Sequence, residues 1–150
     1  MKTTHLLVLS MVTALAVGCS TTEQKNVEDA SRGPVVMNPR SSPEKVELNR
    51  YLQAKQPQQF YAEVQDMTSP ITEVRARLGG TNVEIPMEKV GGTTYRGELS
   101  SDQLKQLAIS GQTVEYKAQI TARNENGVIG MSKEVAELEI KAPQFEEDSG

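Results

Sequence analysis

Between residues 59 and 141 apolar and polar positions alternate in short runs separated by turn-forming residues. Phe60, Ala62 and Val64 share one face of the first run. Thr72, Val74, Ala76 and Leu78 alternate with Glu73, Arg75 and Arg77 in the second, and Val83, Ile85 and Met87 make a third inward row. Successive side chains of a strand point to opposite faces, so each run reads as a half-buried strand. Pro86 lies inside the third run and predicts an edge strand or a strand end, because proline brings no N–H to a central ladder. Tyr95, Gly97 and Leu99 form a fourth row. Val114, Tyr116, Ala118, Ile120 and Ala122 form the longest, which predicts a central strand. Residues 66–70, 79–82 and 91–92 supply turns. Asn126-Gly127 predicts a type I′ hairpin, which needs positive φ at both central positions. The last run changes phase between Met131 and Ala136, which fits a bulge or two short strands.

Three stretches depart from period two. Residues 100–107 combine a hydroxyl N-cap, early Asp102 and leucines one turn apart, Leu104 and Leu107, and predict a short helix at one end of the sheet. Residues 43–57 are open between a short helix and a first strand. Ser42-Pro43-Glu44 is a helix start, while Val46, Leu48 and Leu52 also alternate. Residues 19–42 are polar and punctuated by prolines, and read as a flexible tether with a reach of roughly 25–30 Å. Val35-Val36-Met37 is either a solvated patch of that tether or a strand docked on the domain edge. Residues 142–150, with Glu146-Glu147-Asp148, read as a disordered acidic tail.

The N-terminus has a pattern of its own. Lys2 is followed by an apolar segment from Leu6 to Val17, shorter than the roughly 18 residues of a membrane span. It closes on Leu15-Ala16-Val17-Gly18-Cys19, followed by polar Ser20. This resembles the lipobox of bacterial lipoprotein precursors. The resemblance implies a signal peptide over residues 1–18, cleavage before Cys19, and acylation of Cys19 as a membrane anchor in the cell envelope. Ser20 after the cysteine implies the outer membrane in a Gram-negative host.

Composition narrows the chemistry. The 16 Lys and Arg residues, less Lys2, stand against 20 acidic residues, so net charge moves from −4 to −5 on cleavage. That leaves no electrostatic footprint for nucleic acid. The single cysteine is the one the lipid would take, so no disulfide remains. The single histidine, His5, lies in the signal segment. Ser-His-Asp, Cys-His and histidine-zinc sites are thereby excluded from the mature chain. The reading is therefore non-enzymatic, with no cofactor.

Four segments carry a second resemblance: Ile71-Thr72-Glu73-Val74; residues 87–95, Met-Glu-Lys-Val-Gly-Gly-Thr-Thr-Tyr; Val114-Glu115-Tyr116-Lys117-Ala118; and Asn124-Glu125-Asn126-Gly127. They resemble immunoglobulin-like and fibronectin type III-like modules of bacterial secreted proteins. The resemblance implies an all-β fold: a single immunoglobulin-like antiparallel β-sandwich over residues 58–141, with a short helix before the penultimate strand. Tyr116 takes the place of the family's corner tyrosine, and Leu99 that of the apolar residue ending the preceding strand. Adhesion, spacing or presentation is implied, not chemistry. The expected role is a protein-interaction or structural module with an envelope protein partner; the alternative is a carbohydrate- or peptidoglycan-binding module.

A few side chains merit individual attention. Asp66, Asn124, Glu125 and Asn126 are loop oxygens of the kind calcium uses, but lack its spacing, and read as turn chemistry. Glu134, Glu137 and Glu139, or Glu84 and Glu88, are possible carboxylate pairs that read as solvated strand faces. Arg75 and Arg77 read as a salt-paired outer face, with an anionic glycan as the alternative. Tyr51 and Tyr61 read as packing residues, with a sugar platform as the alternative.

Overall fold

A computed structural model of the chain describes residues 33–146. Cys19, the signal segment and residues 147–150 of the acidic tail lie outside the described residues. The fold is all-β. Among the described residues nine strands run in the order β1 (Val35–Ser42), β2 (Lys45–Glu47), β3 (Gln59–Gln65), β4 (Ile71–Leu78), β5 (Glu84–Gly91), β6 (Thr94–Glu98), β7 (Thr113–Asn124), β8 (Ile129–Met131) and β9 (Ala136–Lys141), with helix α1 (Ser101–Leu107) between β6 and β7.

The strands hydrogen-bond in the spatial order β1-β3-β6-β5-β4-β7-β9-β2, with β8 added beside the end of β7. The fold line is β5. Through Met87 it pairs with β4, and from Glu88 it pairs with β6. Pro86 sits beside this changeover, where the strand is leaving one partner and has not yet joined the next, so the missing N–H is tolerated. The two halves of the sheet face each other across one core. Phe60, Ala62 and Val64 from one half and Val74, Ala76, Leu78, Ile120, Ala122, Leu138 and Ile140 from the other are buried. These are the inward rows of the alternating pattern.

α1 forms as its sequence predicts. The Ser100 hydroxyl accepts from the Gln103 N–H at 3.1 Å, and the Gln103 side chain accepts from the Ser100 N–H at 3.0 Å. This reciprocal pair satisfies two of the free donors at the helix start. Leu104 and Leu107 are buried beneath it.

Four sequence expectations change. The disordered tail expected over residues 142–150 is ordered where it is described: the Ala142 N–H donates to the Gln112 carbonyl at 2.9 Å, and the Ser110 hydroxyl donates to the Phe145 carbonyl at 2.7 Å. Residues 35–42, expected to be the last part of a tether over 19–42, form a strand instead, and residues 19–32 lie outside the described residues. β1 pairs antiparallel with β3 from Val35↔Gln65 to Ser42↔Gln59, so the edge-strand alternative for Val35-Val36-Met37 is the one observed. Its far side leans on β8 and β9. The Ser41 hydroxyl donates to the Glu137 carbonyl, and Gly130 packs so closely that a Cβ there would lie 1.8 Å from the Pro34 carbonyl oxygen. The sheet thus nearly closes on itself. Residues 44–55 hold no helix. Val46 and Leu48 bury alternate positions, and β2 pairs parallel with β9. The Asn49 side chain then accepts from the Tyr51 and Gln53 N–H groups, and Leu52 takes a positive φ of 58°. A side chain that captures backbone donors in this way competes with the helix. The hairpin at residues 124–128 is not type I′. The Gly127 N–H closes on the Asn124 carbonyl at 3.0 Å, and Gly127, but not Asn126, has positive φ. The phase change after Met131 is resolved as two short strands, β8 and β9.

The strand directions set two ends. The near end carries the start of β1, the 66–70 loop, the β5–β6 turn and the β7–β8 turn. The far end carries the 79–82 turn, α1 and residues 142–146.

Candidate interaction face

The inward phase of β4 and β7 commits Val74, Ala76, Ile120 and Ala122 to the core, so the residues between them face out. Register places them in rows. Glu73 lies opposite Arg123, Arg75 opposite Thr121, and Arg77 opposite Gln119. β8 extends the rows, with Met131 opposite Thr121 and Ile129 opposite Arg123. A shallow depression of about 230 Å³ runs across this surface.

Its charges are not alike. Arg75 is held by Glu73 through its Nε and by Glu84 at 3.1 Å through its Nη1. Arg77 and Arg123 make no ion pair among the described residues. Beside them Ile129 and Met131 are 53% and 59% exposed. Two unpaired guanidinium groups next to two bare apolar side chains can meet an anionic and apolar partner surface together. Sequence reasoning found Arg75 and Arg77 but missed Arg123, Ile129 and Met131. The available signal was the alternation of Ile129 and Met131 across the hairpin from Arg123 and Thr121; the phase break after Met131 hid which side it faced.

The other singled-out residues resolve as structure. The Asn124 side chain is buried, donates to Asp66 Oδ2 at 2.8 Å and accepts from the Val128 N–H at 2.9 Å. Asp66 Oδ1 accepts from the Thr68 and Ser69 N–H groups at 2.8 and 3.0 Å. The Asn124 amide, followed by the Thr68 N–H, holds the Asp66 carboxyl down at about 2. These bonds brace the 66–70 loop against the β7–β8 turn; Glu125 and Asn126 occupy that turn and do not join a ligand cluster. Among the described residues no group of three or more His, Cys, Asp or Glu side chains is placed to hold a metal ion.

Glu137 and Glu139 lie on the outer face of β9, where Glu139 meets Lys45 at 3.4 Å, and Glu134 is exposed in the connection before it. Glu84 belongs to the half of β5 paired with β4, whereas Glu88 lies opposite Arg96 on β6, so they do not form a unit. Each suggested tyrosine platform has an arginine over its ring, Arg40 at 4.9 Å from the Tyr61 centroid and Arg50 at 4.7 Å from that of Tyr51. The Tyr116 hydroxyl donates to the Leu107 carbonyl at 2.6 Å, tying β7 to the end of α1. Burial raises the Tyr116 hydroxyl above the usual tyrosine range.

No family model and no curated protein sequence matches the chain. Among solved structures it is similar to the major pilin subunit of Bacillus cereus, at 12% identity and a TM-score of 0.25. The match covers 73% of this chain and 40% of the pilin, so the chain spans well under half of that protein.

Proposed function

We propose that this chain is a lipid-anchored protein of the cell envelope, held in the membrane by an acylated Cys19. Its domain is an immunoglobulin-like, fibronectin type III-like sandwich that acts as a non-catalytic protein-interaction module. Two features support the fold-family reading. The order β1-β3-β6-β5 beside β4-β7-β9 matches the ABED and CFG sheets of the immunoglobulin constant-type arrangement. The Tyr116 hydroxyl bonds upstream to backbone, as a corner tyrosine does.

The β4–β7–β8 face carries the interaction reading. Protein interfaces are enriched in arginine and methionine, and surfaces of this kind exclude water around a few anchor side chains. Arg77, Arg123, Ile129 and Met131 supply those types on one exposed face. The arginines lying over Tyr51 and Tyr61 cover a ring face that a sugar would need.

The test is site-specific photo-crosslinking from position 131 in the native envelope, with position 105 on α1 as control. A discrete protein adduct from position 131, lost in Arg77→Ala/Arg123→Ala, is expected. Retention on peptidoglycan with no protein adduct overturns this in favour of the glycan-binding alternative. The anchor is tested separately: Cys19→Ser should leave the membrane fraction, since a stable hold needs two or more acyl chains.

A further inference from the structure

Eight large apolar side chains are exposed among the described residues; Tyr51 and Ile109 lie toward the far end, Met131 and Val135 lie between the ends, and the remaining four share one end. Met67, Val90, Ile129 and Val35 are exposed, Met67 at 94%. All four lie at the near end: Met67 at the tip of the 66–70 loop, Val90 beside the β5–β6 turn, Ile129 after the β7–β8 turn, and Val35 at the start of β1. The loop that carries Met67 is braced. Asp66 accepts from the backbone on the far side of Met67, at Thr68 and Ser69, and from Asn124 of β7. These bonds fix the loop backbone that presents Met67, whose side chain is almost fully exposed.

The chain outside the described residues enters at this same end. Residues 20–32 are all that separate Cys19 from Gly33. Whatever their conformation, thirteen residues span at most about 45 Å. β7, with 12 residues, makes the sandwich roughly 40 Å long. An inverted domain, with α1 toward the anchor, would need that connection pulled almost straight along the domain's whole length. The short connection thus disfavours the inverted orientation and brings the near end within reach of the lipid.

From these two observations we propose that the near end rests on the bilayer surface, with Met67 as its leading contact and Val35 and Val90 around it, while Ile129 stays on the partner face that borders it. The proposal rests on the acylation of Cys19. The occupant is a lipid surface rather than a second protein because the anchor brings the lipid to this end whether or not a partner is present. The contact orients the domain, leaving the far end and α1 directed away from the membrane. It needs no anionic headgroup, since apolar side chains make it, so it survives high salt.

The chain has no tryptophan, so single tryptophans report position without background. The experiment compares Met67→Trp with Ile109→Trp, at the far end, in the full acylated chain. The proteins are reconstituted into vesicles of phosphatidylethanolamine and phosphatidylglycerol with and without brominated acyl chains. The expected result is a blue shift and bromine quenching at position 67, unchanged by salt, and neither at position 109. Equal quenching at both positions, or none at 67 in protein that floats with the vesicles, overturns the proposal. So does a blue shift at 67 that appears only when envelope proteins are added and is not quenched. Failure to float at all marks instead the failure of the acylation reading. Met67→Ser, as a second variant, should leave flotation intact and raise the accessibility of Thr68 to aqueous probes.

Discussion

β7 and β1 are both long strands, yet opposite forces hold them. β7 lies between β4 and β9, and its alternate residues Ala118, Ile120 and Ala122 disappear into the core. β1 buries only Val36 and Ser41 deeply, carries Asn38 at a positive φ of 51° and a register shift between Met37 and Arg40, and pairs with β3 alone. Its attachment is largely backbone: the ladder to β3, the Ser41 hydroxyl on the Glu137 carbonyl, and the Pro34 carbonyl seated against Gly130. Side-chain packing secures the central strand; close approach of main chain secures the edge.

The widest gap between the two strands should come from Ile120→Ala. It opens a cavity at a fully buried site and should cost about 2–5 kcal/mol, read as a drop in the midpoint of cooperative unfolding for the whole domain. Gly130→Ala should cost about 1–3 kcal/mol, because the new methyl collides with main chain that must move. Here the effect should be local: faster amide exchange in residues 35–42 with protection in β7 retained. Uniform loss of protection would show that β1 and the core are one cooperative unit.

Tyr116→Phe sharpens the comparison within β7 itself. It removes one hydrogen bond and leaves the Leu107 carbonyl without that donor, at about 1–2 kcal/mol in denaturant unfolding, with exchange quickening in α1. The smallest effect is expected from Asp66→Asn, and it depends on pH. The Asp66 carboxyl is depressed to about 2 in the folded chain, so its contribution is fully present above the unfolded value near 4 and fades as pH falls toward 2. The urea midpoints of the two proteins should therefore differ most near neutrality and converge in acid.

The same contrast explains what the sequence discloses. Period-two alternation records side chains chosen to be buried, so it marks β3, β4, β5 and β7 and names most of the core before any coordinates. Ser100 and Asp102 announce α1, because capping uses specific side chains, and the structure adds Gln103 as the second half of the cap. Alternation is silent about β1, whose Asn38 and Pro39 look like linker residues while its neighbours pair through backbone. It is also ambiguous at residues 44–55, where helical and strand spacing coincide until Asn49 takes the Tyr51 and Gln53 donors. The candidate face was half legible for a related reason. Charged residues on β4 stand out in an alternating run, but Ile129 and Met131 are apolar residues facing water, and pattern reading places such residues inside.

The short parallel pairing of β2 with β9 has a mechanical meaning. Lys45↔Glu139, Val46↔Ile140 and Glu47↔Lys141 align, and the Lys141 ammonium reaches Glu47 at 3.0 Å. Both strands run toward the far end, while the chain enters at the near one. Tension between the N-terminal connection and residues 142–146 would first load β1 against β3 and, once β1 yielded, would slide β2 past β9, loading every bond of that pair together instead of peeling them singly. A domain tethered at one end and gripped at the other would resist such a pull at this seam, through two of its smallest elements.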